Sequence, residues 1–160
     1  MTIAVGDKIP VAELYRMGKK GPETVSSSEL FAGRKTVLFA VPGAFTPTCS
    51  QAHLPGYVVK ADELLAEGVD QIVCMSVNDP FVMDAWGKQH NVDDRILMIA
   101  DPDGAFTRAV GLELDLAARG LGLRSQRYAM VVDDGVVTRL NVEAPGKLEV
   151  SDAESMLRAL

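Results

Sequence analysis

A chain of 160 residues, 48% hydrophobic and 24% charged, is the size of one compact domain with an ordinary core. Sixteen Lys and Arg against 22 Asp and Glu leave a formal charge of -6, and the cations are scattered, which argues against a nucleic-acid surface. No apolar run approaches the roughly 18 residues of a spanning helix, the start lacks a basic segment followed by an apolar one, and the two cysteines are too few for a disulfide framework; the expectation is a cytoplasmic protein, one domain over 1–160, with no membrane or nucleic-acid partner.

The stretch from Lys8 to Pro22 mixes short apolar runs with turn residues, consistent with irregular strands. Ser26-x-x-Glu29 before Leu30-Phe31 is a capping-box pattern with Gly33 as the stop, so a short helix precedes the apolar strand Thr36–Val41. Pro42-Gly43 ends that strand. Thr46 is then a natural N-cap and Pro47 a natural first helical residue, with Leu54, Val58, Ala61 and Leu65 on one apolar face and Pro55 expected to kink the helix. Gly68 closes it, and Gln71–Val77 reads as a buried strand parallel to the first. Asp79-Pro80 caps a helix carrying Phe81, Val82, Ala85 and Trp86, after which Ile96–Ala100 is a further strand. Residues 112–123 give no assignable pattern. Arg127–Val132 turns at Asp133-Asp134-Gly135 into Val136–Val142, a hairpin, and Ser151-x-x-Glu154 opens a final helix offering Met156, Leu157 and Leu160 to the core. This order is that of an α/β, thioredoxin-like fold, a central mixed sheet flanked by helices, with the Ile96 strand inserted.

The chemistry concentrates where the Thr36 strand ends, since sites in open α/β sheets form at the carboxyl edge. Cys49 falls at about the third position of the helix that follows, where unpaired N–H groups and the positive dipole end favour a thiolate. A buried structural cysteine is the competing reading, and for Cys74, mid-run in a central strand, it prevails. Thr46, three residues before Cys49, is suited to capping, to facing the thiol, or to both, and Pro42 either shields the site or merely terminates the strand. His53 follows Cys49 by one turn; with no third group at a usable spacing, packing is favoured over an acyl-transfer dyad or a metal ligand.

The pattern Pro42-x-x-x-Thr46-x-x-Cys49 resembles the signature of the peroxiredoxins, thiol peroxidases on a thioredoxin-like fold. The likeness extends through Pro42–Ser50, His53-Leu54-Pro55-Gly56, Cys74–Asp79, Trp86-Gly87 and Ala100–Phe106, in the manner of the type II and type V branch, and spans nearly the whole chain. It implies an arginine at the site, for which Arg127 matches and Arg124 is the runner-up. It further implies that Cys49, with Thr46, Arg127 and Pro42 around it, attacks hydrogen peroxide or an alkyl hydroperoxide and becomes a sulfenic acid, with no metal or organic cofactor. Type V members of animals carry a resolving cysteine in the segment that here reads Lys147–Ser151 and contains none. The expectation is therefore a one-cysteine cycle closed by glutathione with glutaredoxin, or by thioredoxin, in a homodimer. A peroxide sensor that hands oxidation from Cys49 to a partner is the alternative, and a cysteine hydrolase dependent on His53 a third.

Overall fold

The computed structural model describes all residues, 1–160. Its frame is a seven-stranded mixed sheet of order β2-β1-β5-β4-β3-β8-β9, built from β1 (Glu13–Gly18), β2 (Gly21–Ser26), β3 (Lys35–Ala40), β4 (Gln71–Ser76), β5 (Ile96–Ala100), β8 (Tyr128–Asp133) and β9 (Val136–Val142). The three central strands β3, β4 and β5 are parallel, and β1, β8 and β9 join antiparallel. A separate two-stranded ribbon, β6 (Glu113–Leu116) and β7 (Gly122–Ser125), occupies the stretch with no assignable pattern.

The apolar runs are continuous because both sheet faces are covered, as parallel strands require. In β3, Val37 and Phe39 point to one face and Leu38 and Ala40 to the other; in β4, Ile72 and Cys74 alternate with Val73 and Met75 in the same way. The first face packs against α2 (Leu54–Ala66), α3 (Pro80–Gln89) and α5 (Ala153–Arg158) through Leu54, Tyr57, Met83, Trp86 and Met156. The second packs against α1 (Ser27–Phe31) and α4 (Ala105–Ala109) through Leu30, Phe31 and Phe106. Cys49 belongs to the first face.

Three local expectations are corrected. The opening stretch is a regular hairpin, β1 with β2, paired from Glu13↔Ser26 to Gly18↔Gly21. Pro55 does not sit in a uniform α-helix: a five-residue π-turn, Cys49–His53, precedes it, closed by the Leu54 N–H on the Cys49 carbonyl. Proline lacks an N–H and its ring crowds the carbonyl four residues back, and the one-residue widening of a π-turn accommodates it. Finally, Ser151 is not the cap of α5. Asp152 holds that position, and Ser151 is committed to Glu143 instead.

Candidate active site

The segment after β3 is held on both sides of the thiol. Ala44 N–H donates to Asn78 Oδ1 at 2.9 Å, which ties the loop to the end of β4, and Trp86 Nε1 donates to Ser50 Oγ at 2.9 Å, which ties the helix start to α3. Between these anchors Phe45 has a φ of 65°, a left-handed conformation unfavourable for a bulky side chain. It is half exposed, with its ring tilted against Trp86 at 6.4 Å between centroids. Backbone strain of this kind persists only where surrounding contacts over-determine it.

Cys49 lies in the first turns of the helix begun at Pro47, fully buried and unpaired with Cys74. Arg127, immediately before β8, reaches it from the neighbouring sheet edge: Nη2 donates to Cys49 Sγ at 3.1 Å. Arg124 makes no hydrogen bond to the sulfur. Its Nε and Nη1 donate to the carbonyls of Leu121 and Val77, and it lies beside Gly43, whose Cβ, if present, would be 3.0 Å from Nη1. Thr46 stands at the helix start, yet its hydroxyl donates backward to the Gly43 carbonyl at 2.7 Å rather than accepting a helix N–H, so the capping role is not taken. That bond leaves the hydroxyl oxygen's lone pairs as acceptors. Pro42 is half-buried next to the end of β3.

His53 is the residue that local spacing undervalued. It is 1% exposed, and its ring contacts Phe39 and Tyr57. Arg127 Nη1 lies 2.7 Å from His53 Nδ1, and His53 Nε2 lies 3.0 Å from the Ser151 carbonyl. A guanidinium only donates and a carbonyl only accepts, so the ring is neutral with its proton on Nε2. Burial first, then the adjacent Arg127 cation, lowers its pKa to about 4 against the pull of the Ser151 carbonyl. One Arg127 nitrogen is thus fixed by imidazole while the other faces sulfur. Its i, i+4 spacing from Cys49 and its place in the His53-Leu54-Pro55-Gly56 motif were legible, but neither points to an arginine 74 residues away.

Cys74 pairs with Phe39 and Met98 in mid-sheet, and burial pushes its thiol up, so it is protonated and unreactive in this state. Among the His, Cys, Asp and Glu side chains there is no cluster able to hold a metal ion. The arrangement offers one sulfur, one fixed cation directed at it and a threonine hydroxyl on the same turn. These are the parts needed to align a small polar molecule and stabilise charge that develops on it.

The model of the Redoxin family matches residues 4–157. Peroxiredoxin-2B of Arabidopsis thaliana is 50% identical over 99% of this chain and 98% of its own length, and the chloroplastic Peroxiredoxin-2E of the same plant is 52% identical over 99% and 70%. Among solved structures, reduced Prx3 from Vibrio vulnificus in complex with hydrogen peroxide superposes with a TM-score of 0.95 at 60% identity, covering 99% of both chains. The thioredoxin-like fold, the buried cysteine at a helix start and these full-length likenesses give one conclusion: the chain belongs to the peroxiredoxins, thiol peroxidases of the Redoxin family.

Proposed function

We propose that this peroxiredoxin reduces hydrogen peroxide and alkyl hydroperoxides at Cys49 and is regenerated in a one-cysteine cycle by an external thiol. The observation that carries the reading is the 3.1 Å contact of Arg127 with Cys49 Sγ, on an arginine whose other amino group is held by a neutral histidine. The thiolate attacks one peroxide oxygen, forming the S–O bond as the O–O bond breaks; the departing oxygen takes a proton and leaves as water or an alcohol. Arg127 steadies the charge on the departing oxygen, Thr46 accepts from the peroxide O–H, and Pro42 limits water at the strand end. The cysteine sulfenic acid then condenses with an incoming thiol, releasing water, and a second thiol displaces the mixed disulfide.

The single-cysteine form rests on Cys74 being fully buried in β4, hydrogen-bonded between β3 and β5, and on the absence of cysteine from 147–151. Glutathione with glutaredoxin is the leading reductant and thioredoxin the second. A cytoplasmic setting suits that chemistry. Phe45, 50% exposed, lies against Trp86 at the active-site end, and Phe81, 63% exposed, stands in the first turn of α3; these two exposed rings favour a homodimer through that face; Phe81→Asp should then shift sedimentation toward monomer.

Peroxide consumption by wild type, Cys49→Ser and Cys74→Ser, each with glutathione and glutaredoxin or with a thioredoxin system, tests the cycle. Loss confined to Cys49→Ser, with turnover in one system, is the expected result. Loss in Cys74→Ser as well would make Cys74 the resolving thiol. Stoichiometric oxidation without turnover in either system would favour a sensor that relays oxidation from Cys49 to a partner.

A further inference from the structure

Glu143, just beyond β9, is a carboxylate 7% exposed with no cation beside it. It is satisfied by backbone. The N–H groups of Glu149, Val150 and Ser151 donate to it at 2.7 to 2.9 Å, and the Ser151 hydroxyl adds a fourth donor at 2.7 Å. Burial opposes its ionisation, but these bonds outweigh that effect and hold its carboxyl below the usual carboxylate range. The exposed loop 144–150 is thereby folded back on a single side chain.

The residue that follows the loop, Ser151, is what the site uses. The Ser151 carbonyl receives both His53 Nε2 and the Tyr57 hydroxyl, at 3.0 and 2.7 Å. His53 Nδ1 then takes Arg127 Nη1, and Arg127 Nη2 reaches Cys49 Sγ. Glu143 also touches the opposite end of this chain, since its own N–H donates to the Arg127 carbonyl at 3.0 Å. A single residue therefore anchors the histidine from one side and the arginine backbone from the other. We propose that Glu143 is a positioning residue for peroxide reduction, acting through the Ser151 carbonyl and His53 to hold Arg127 on Cys49, and touching neither sulfur nor substrate.

The proposal rests on Cys49 being the peroxidatic thiol, and its test includes a readout that needs no peroxide. The chain has two histidines, so nitrogen NMR of histidine-labelled protein resolves His53, with His53→Gln assigning the signal. Wild type should show the Nε2–H tautomer alone at pH 7. Glu143→Gln places an amide among four donors, and should give a mixture of tautomers and a fall in kcat/KM for hydrogen peroxide of about tenfold or more. In the His53→Gln background the same change should cost nothing further, because residues in one network are not additive. Retention of the single tautomer with kcat/KM within twofold of wild type would overturn the proposal, as would losses that multiply with those of His53→Gln. If Glu143→Gln fails to fold, Ser151→Ala, which removes only the hydroxyl donor, is read by the same two measurements: a shift in both supports the proposal and a shift in neither overturns it.

Discussion

At the residue scale, the decisive group is a guanidinium whose two amino nitrogens have different partners, His53 on one side and Cys49 on the other. A lysine in its place keeps the charge but not the planar fork, so it cannot be fixed by the imidazole while facing sulfur. Arg127→Lys is expected to lower kcat/KM for hydrogen peroxide by about 100-fold, the scale of losing one preorganised donor, with the melting temperature little changed. His53 sets a second expectation, in pH. Its folded pKa of about 4 lies below the ordinary histidine value of 6.5, so between these values the unfolded chain binds the extra proton. Stability should be fully present above pH 6.5 and be lost progressively as pH falls to 4, by at most about 3 kcal/mol from this one group. Glu143, with a lowered carboxyl pKa, continues the loss at still lower pH. Urea denaturation of wild type and His53→Gln across pH 4 to 7 would show this: the variant should lack the decline between 6.5 and 4.

At the scale of elements, the hairpin that carries Arg127 at its base shows what local sequence can encode. Asp134 and Gly135 have φ of 47° and 80°, both positive as a two-residue turn between strands demands, and nothing lies within 4 Å of where a Gly135 Cβ would be. Gly135→Ala should therefore cost stability by conformation alone, about 1 kcal/mol, with peroxidase activity intact because the turn is at the far end of the hairpin from Arg127. Gly87 in α3 is the contrasting case, since its Cβ would come within 2.7 Å of Met98 on β5, and Gly87→Ala should cost about 1 to 3 kcal/mol by overpacking. The Asp-Gly turn, the Pro-Gly stop after β3 and the Asp79-Pro80 start of α3 were legible because each is local chemistry. The ribbon β6 with β7 was not: its strands are four residues each, mostly half-exposed, and joined through a short 3-10 turn at Ala117–Arg119. Ser151 was legible as a capping residue and misread, because its partner Glu143 is selected by the fold at the end of β9 and not by helix spacing. The π-turn at Cys49–His53 was hidden for a related reason, as Pro55 announces a disturbance without its form.

At the scale of the whole molecule, the sheet brings together residues from three distant segments. β3 ends at the loop that delivers Thr46 and Cys49, Arg127 immediately precedes β8, and the segment before α5 supplies the Ser151 carbonyl behind His53. The antiparallel pairing of Ala40 with Tyr128 is what sets Arg127 beside the end of β3, so the site is a consequence of strand register. The resemblance of the Pro42 to Cys49 segment located the sulfur, and only the tertiary structure supplied its second layer. Trp86, the sole tryptophan, donates to Ser50 next to Cys49, so its fluorescence is expected to respond to a change at the sulfur. The most direct measurement is stopped-flow Trp86 fluorescence of the reduced protein mixed with hydrogen peroxide, for wild type, Cys49→Ser and Cys74→Ser. A rapid change consuming one equivalent of peroxide in wild type and Cys74→Ser, absent from Cys49→Ser, is the predicted result. A change that survives in Cys49→Ser, or vanishes in Cys74→Ser, would contradict the assignment of peroxide chemistry to the Cys49 thiolate alone.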